Sequence, residues 1–333
     1  MPHLTKPQAV VLSMGRNGIA ITHCCGLSTV SAFLAQLLDK PENTVRQQLR
    51  EWYKESSDNG GRKRNELDVT ASFAPLLQWI LSWWPTDHKN IVLAADASTL
   101  GDRFTLLVVC VVYRGCGIPV AWKVIVATAK GSWQPYWLKL FEHLQPGIPS
   151  VGCVVVTTDN RLYGKWFYEA IVALQWHPFM RINAQGYYQT KLSCGFVPLK
   201  GLITELGQSW AGIITCFKNN SLECTLLARW DEGYSDPWLI VTDLEPDQAE
   251  ILWYGMRSWI ECMFKDIKRG GLQWHLTRIS DPKRVERVWL AIAVATLWLV
   301  SVGGQADDKL LASSLQSLAQ PIDNRTGQSR IGV

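Results

Sequence analysis

The chain has 333 residues, 47% hydrophobic and 19% charged, with a formal net charge of +4. That balance excludes a disordered chain, apart from a polar end, and is too mild to mark a nucleic-acid binder by charge alone. Nine cysteines without a C-x2-C pair, and six histidines without a spaced pair, argue against a metal site built on them.

The first 88 residues read as helical. "STVSAFLAQLL" carries apolar residues at 30, 33, 34, 37 and 38, an amphipathic spacing. The turn "DKPEN" follows, with Asn43 or Thr44 expected to cap a second helix, "TVRQQLREWY". Two short helices across a tight turn suggest a helix-turn-helix with Arg46 and Arg50 on its second helix; a plain helical hairpin fits equally well. A basic loop with Arg62, Lys63 and Arg64 comes next, then a helical run carrying Trp79, Trp83 and Trp84 up to Pro85.

The character changes near residue 89. "NIVLAADAS" is an apolar run ending in Asp96, as expected of a buried strand. "FTLLVVCVVYRGCGIPVAWKVIV" predicts a hairpin around Gly115 and Gly117, and "WQPYWLKLFEHL" a helix. "GCVVVTTDN" gives a fourth strand ending in Asp159, then "YGKWFYEAIVALQW" a helix and "HPFMRI" a fifth strand. The order β-β-β-α-β-α-β is that of a mixed α/β layer. Residues 183–236 interrupt it with short β-forming segments between Gly, Asn and Ser turns, a β-rich insertion that "PWLIVTDL" closes. "EPDQAE" is expected to open the next helix. The uncharged run 288–304 predicts a buried core helix in preference to a membrane span, and the tail from 305 is polar.

Between Tyr254 and Leu290 there are eight Lys or Arg against four Asp or Glu. At 100° per residue, Tyr254, Arg257, Glu261 and Lys268 fall within an arc of about 60°. This polar line borders a stripe of Trp253, Met256, Ile260, Met263 and Ile267. On its own, Arg257–Glu261 reads as a surface i,i+4 ion pair worth a few tenths of a kcal/mol. Asp96 and Asp159, at the strand ends where α/β sheets place their sites, supply possible partners for Glu261. Three carboxylates from separate elements are the minimum set for two divalent cations, which can activate a hydroxyl and stabilise a leaving oxygen at a phosphodiester.

Tyr254-x2-Arg257-x3-Glu261-x6-Lys268 matches without a gap the Y-R-E-K signature of insertion-sequence transposases. Over roughly residues 90–303 the chain resembles a DDE transposase of insertion-sequence family four. The loops after the aspartates depart from that pattern: Ala97, Ser98 and Thr99 follow Asp96, and Asn160, Arg161 and Leu162 follow Asp159. The resemblance implies a ribonuclease H-like mixed sheet flanked by helices, interrupted by a β-rich insertion and preceded by a helical domain. The implied organisation is a helical DNA-binding region at 1–88, a catalytic core at 89–182 and 237–304 split by the insertion at 183–236, and a tail at 305–333. It implies Asp96, Asp159 and Glu261 as catalytic metal ligands and two Mg²⁺ ions, with Mn²⁺ as a substitute. Tyr254, Arg257 and Lys268 are implied DNA contacts, with Arg46 and Arg50 added from the N-terminal helices. The implied activity is cleavage at the ends of the element and joining of those ends to target DNA. Its partners would be double-stranded terminal repeats and target DNA, held by a homodimer, with no membrane involved. With no signal peptide read at the N-terminus, a cytoplasmic setting is expected. Two alternatives are a transposase-derived DNA-binding protein without catalysis and a ribonuclease H-like structure-selective nuclease. Trp210, Trp230 or Trp238 are further candidates for stacking on a displaced base.

Overall fold

The computed structural model of the chain describes residues 1–58, 66–84, 90–150 and 152–306. The basic cluster Arg62, Lys63 and Arg64, Pro85, and the tail from 307 lie outside the described residues.

Three helices open the chain: α1 (Lys6–Thr22), α2 (Leu27–Leu38) and α3 (Glu42–Tyr53). Thr5 and Gln8 form a capping box at the start of α1, each side chain receiving the other's backbone N–H. α3 starts directly after Pro41 with no side-chain cap, so neither Asn43 nor Thr44 has the capping role expected of it. Proline's fixed φ sets the turn in place of a cap. Val45 and Leu49 are the buried residues of α3, which leaves Arg46 and Arg50 on its exposed side.

A short helix, α4 (Phe73–Leu81), precedes the sheet. β1 (Asn90–Leu100), β2 (Phe104–Tyr113) and β3 (Cys116–Val126) form an antiparallel meander. α5 (Gln134–Leu144), β4 (Cys153–Thr158), α6 (Lys165–Ala173) and β5 (His177–Arg181) follow. β4 runs parallel to β1, and β5 parallel to β4. The resulting order β3-β2-β1-β4-β5, with these directions, is the ribonuclease H-like arrangement. The strands read as unbroken apolar runs because the sheet is covered: every residue of β2 from Phe104 to Val112 is buried. One aromatic cluster joins Trp137 and Phe141 of α5 to Phe167 of α6 and to Trp176. Another joins Trp122 of β3 to Trp289 and Trp274.

The insertion is not a separate layer. Its strands β6 (Tyr187–Gln189), β7 (Val197–Pro198), β8 (Ser209–Cys216) and β9 (Leu222–Arg229) extend the core sheet through β10 (Trp238–Thr242), the first strand after it. β10 pairs antiparallel with β5, so one sheet of ten strands runs from β3 to β7.

The helix expected to open at "EPDQAE" begins later. Glu250 caps it by accepting from the Leu252 N–H, and a 3₁₀ stretch covers Ile251–Arg257. The α-helical part, α7, is only Ser258–Lys265, and a wider π-type turn takes in Asp266–Gly270. α7 lies against β3 with its backbone close to the sheet. A Cβ on Gly117 would sit 3.1 Å from the Trp259 carbonyl oxygen and 3.3 Å from Ile260 Cα and Met263 Cβ. Glycine admits this approach without strain, whereas any other side chain would need α7 to give by a few tenths of an ångström. The stripe Met256, Ile260, Met263 and Ile267 is fully covered, as its spacing predicts.

The last described helix, α8 (Pro282–Ala306), packs on β3, α1 and α3. It is long and apolar enough to cross a membrane, yet 67% of its apolar window is buried against the rest of the chain. At the outer edge of β3, the Glu286 carboxylate accepts the Val124 N–H at 3.0 Å and pairs with Lys123 at 2.8 Å. Arg287, 3% exposed, donates to the Tyr53 carbonyl at 3.1 Å and also binds Glu66. These contacts join the end of α3 to α8.

Candidate active site

Asp96 does not end its strand. The ladder between β1 and β4 stops at Ala95 and Thr158, while β1 continues beside β2 as far as Leu100. The next residue on each parallel strand is an aspartate, Asp96 and Asp159, at the point where the two strands part. Neighbouring strands lie about 4.8 Å apart, so register alone brings these two carboxylates together.

Each aspartate has one oxygen held by backbone N–H groups that follow it in the chain. Asp96 Oδ1 accepts from the Ala97 N–H at 2.7 Å. Asp159 Oδ1 accepts from the N–H groups of Arg161 and Leu162, both at 3.1 Å. This is an Asx-type turn, and it rules out Asp159 as the cap of α6, which starts after Gly164.

The other oxygens face one side chain. Arg257 donates through Nη2 to Asp96 Oδ2 at 2.8 Å, and the same nitrogen lies 3.7 Å from Asp159 Oδ2. Through Nη1 it donates to Glu261 Oε1, one turn along. The expected i,i+4 pair is therefore present but belongs to a four-member cluster of three carboxylates and one guanidinium. Arg257 is 12% exposed, Asp96 17%, Asp159 21% and Glu261 59%. The cluster is closed at its base and open at Glu261.

Electrostatics follow from that burial. The Asp96 carboxyl is pushed above the usual carboxylate range, first by desolvation and further by Asp159 and Glu261; Arg257 and the Ala97 N–H act against the rise. Tyr254 is buried, and its ring meets Trp238 edge-on at 5.1 Å. Its phenol is pushed up to about 12, chiefly by burial, so it stays protonated across the physiological range. Lys268 reaches back to the extension of β1, donating to Ser98 Oγ at 2.7 Å and to the Thr99 carbonyl at 2.9 Å. Burial, and then Arg269, lower its pKa below that of an ordinary lysine. Tyr254, Arg257, Glu261 and Lys268 thus follow the polar line from the insertion strands to the tip of β1. That continuity survives the change from 3₁₀ to α to π winding.

The three carboxylates supply hard oxygen donors and keep two excess negative charges after Arg257 is counted. That donor chemistry suits Mg²⁺. As they stand, however, no three acidic, histidine or cysteine side chains among the described residues are placed to hold a metal ion. The cation they share is Arg257.

No family model matches this chain. No curated protein matches it either. Among solved structures, a cryo-EM piggyBac transposase synaptic complex with hairpin DNA is 11% identical at a TM-score of 0.47, covering 95% of this chain and 70% of that one. A crystal structure of the Mos1 strand transfer complex is 16% identical at a TM-score of 0.19, covering 44% of this chain and 52% of that one. At these TM-scores neither likeness bears on the chemistry of this chain.

Of the other sequence candidates, Arg46 and Arg50 lie on the exposed side of α3. Trp238 adjoins the site through Tyr254, whereas Trp210 packs on Tyr188 and Trp230 donates to the Tyr234 carbonyl. Two contributors escape the sequence signals: Gly117, which seats α7, and Ser98, which holds Lys268. The departure from the family pattern after Asp96 is the one cue that points towards Ser98.

Proposed function

We propose that the chain is a DNA transposase of the DDE type, similar to insertion-sequence family four, which cuts element ends and joins them to target DNA. The observation that supports this best is the meeting of Asp96, Asp159 and Glu261, from three elements far apart in sequence, around one cationic centre. Mere surface acids would have no reason to converge on a half-buried point at the parting of two parallel strands.

In this reading Asp96, Asp159 and Glu261 hold two divalent cations, Mg²⁺ or in its place Mn²⁺. When bound, those ions supply Lewis acidity to the attacking hydroxyl and the leaving oxygen of the phosphodiester. The chain's own groups orient the strand. Arg257, Lys268 and Tyr254 would contact DNA phosphates, Arg257 only on leaving the carboxylates and Lys268 on leaving Ser98 and the Thr99 carbonyl. Arg46 and Arg50 present a basic helix face to duplex DNA. Two copies of the chain would hold paired ends, each cutting one.

The test uses supercoiled plasmid carrying the DNA that flanks the reading frame. Purified protein with Mg²⁺ should nick or cut it at the flanks. Glu261→Gln should abolish cutting while retaining binding to the same DNA within a few-fold. Retained cutting by Glu261→Gln would remove Glu261 from the reaction centre and overturn the reading.

A further inference from the structure

The three inward-facing oxygens, Asp96 Oδ2, Asp159 Oδ2 and Glu261 Oε1, are all partners of Arg257. The other oxygen of each aspartate accepts from backbone N–H groups that follow it, Ala97 for Asp96 and Arg161 and Leu162 for Asp159. A divalent cation binding between the three carboxylates therefore meets the guanidinium at the inner oxygen of each one. We propose that Arg257 is an internal counter-cation that competes with divalent cations for the carboxylate cluster, so that the free protein takes up metal weakly until Arg257 leaves.

This rests on the metal-dependent reading above and concerns how that site is controlled. Three features of Arg257 carry it. Its side chain is 12% exposed, so it cannot pair with solvent anions while seated. Its Nε is buried with no hydrogen-bond partner, so the guanidinium is incompletely satisfied where it sits. And it occupies the last residue of the 3₁₀ stretch, at the junction with α7, where the backbone changes its winding. Charge runs the same way. Three carboxylates and one guanidinium leave an excess of two negative charges, which keeps the cluster attractive to a divalent ion while its inner oxygens are occupied. A guanidinium drawn off such a cluster fits best against a phosphate, which accepts two parallel N–H donors.

The competition is measurable without catalysis. Mn²⁺ uptake by the full chain, followed from the resonance of the free aquo ion and without DNA, should be weak in the wild type. It should tighten by about tenfold or more in Arg257→Gln, because a site occupied by its own cation for most of the time loses affinity in proportion. The gain should vanish in the double variant Arg257→Gln with Asp96→Asn. Equal or weaker Mn²⁺ binding by Arg257→Gln would overturn the inference. The two levels are separable. Equal affinity in wild type and Arg257→Gln that is lost in Asp96→Asn leaves the metal reading standing and removes only the competition. Uptake by neither protein removes both. Should Arg257→Gln fail to fold because three acids face each other unneutralised, refolding in millimolar Mn²⁺ decides: recovery of the tryptophan melt supports the proposal, and no recovery overturns it.

Discussion

Gly117 offers the sharpest test of how the glutamate helix is held. In Gly117→Ala the new methyl carbon meets the Trp259 carbonyl at 3.1 Å and two α7 carbons at 3.3 Å, where 3.4–4 Å is ordinary contact. The atoms it meets are backbone or Cβ, so no flexible side-chain end can yield; α7 itself has to lift by a few tenths of an ångström. Such overpacking costs about 1–3 kcal/mol. Replacing glycine returns about 0.4–1 kcal/mol by restricting the unfolded chain. The net expectation is a loss of about 1–2 kcal/mol for alanine, and of about 3 kcal/mol or more for Gly117→Val, whose branches press further into α7. Chemical denaturation gives the stability, and plasmid cutting gives the position of Glu261 relative to Asp96. Activity should fall more steeply than stability across glycine, alanine and valine, because a small misplacement at a reaction centre is amplified in rate. Wild-type stability in Gly117→Val would refute the close seating of α7 on β3.

Four further outcomes follow from other contacts. Arg287→Met, which keeps much of the side-chain volume but leaves the Tyr53 carbonyl without its donor, should cost roughly 2 kcal/mol, and limited proteolysis should then open α1–α3 before the sheet. Lys268→Met should leave the melting temperature within a few degrees of wild type yet speed amide exchange at Ser98 and Thr99; unchanged exchange would show that Lys268 does not hold the tip of β1. Tyr254 has a folded pKa raised from 10.0 to about 12, so its contribution is complete below pH 10 and is lost as pH rises through about 12. Over that window roughly 3 kcal/mol should disappear in the wild type and be spared in Tyr254→Phe, as read from melts at stepped alkaline pH. Arg46→Ala and Arg50→Ala should each reduce the salt dependence of DNA binding by about one unit of log–log slope without moving the melt. An unchanged slope would separate α3 from DNA.

Much of the core was legible because burial on both faces leaves a plain trace. The runs around Val92, Val108 and Val155 fit covered strands, and the stripe from Met256 to Ile267 follows helical spacing. The pairing of Arg257 with Glu261 was readable for the same reason, since four residues make one turn. Its reach to Asp96 was not: that contact spans 161 positions, and only the register of β1 against β4 creates it. The winding of the polar line also escaped, because 3₁₀, α and π segments differ by a few tens of degrees per residue and a spacing of apolar residues tolerates all three. Asp96 looked terminal because the apolar run stops there; the strand continues since its hairpin with β2 needs backbone partners and not apolar side chains. The fusion of the insertion with the core depends on β10 finding β5, a choice that no local pattern encodes.

The edges of the ten-stranded sheet carry a last consequence. At one margin the Glu286 carboxylate takes the Val124 N–H, and at the other β7 is two residues long and ends in proline. Between them, β6 reaches only Thr215 and Cys216 of β8, so among the described residues Ser209–Ile214 is left as the stretch along which another chain could add a strand. A strand added there would lengthen the sheet beside the exposed Ile213, so this margin and not β3 or β7 is where copies of the chain would meet edge to edge.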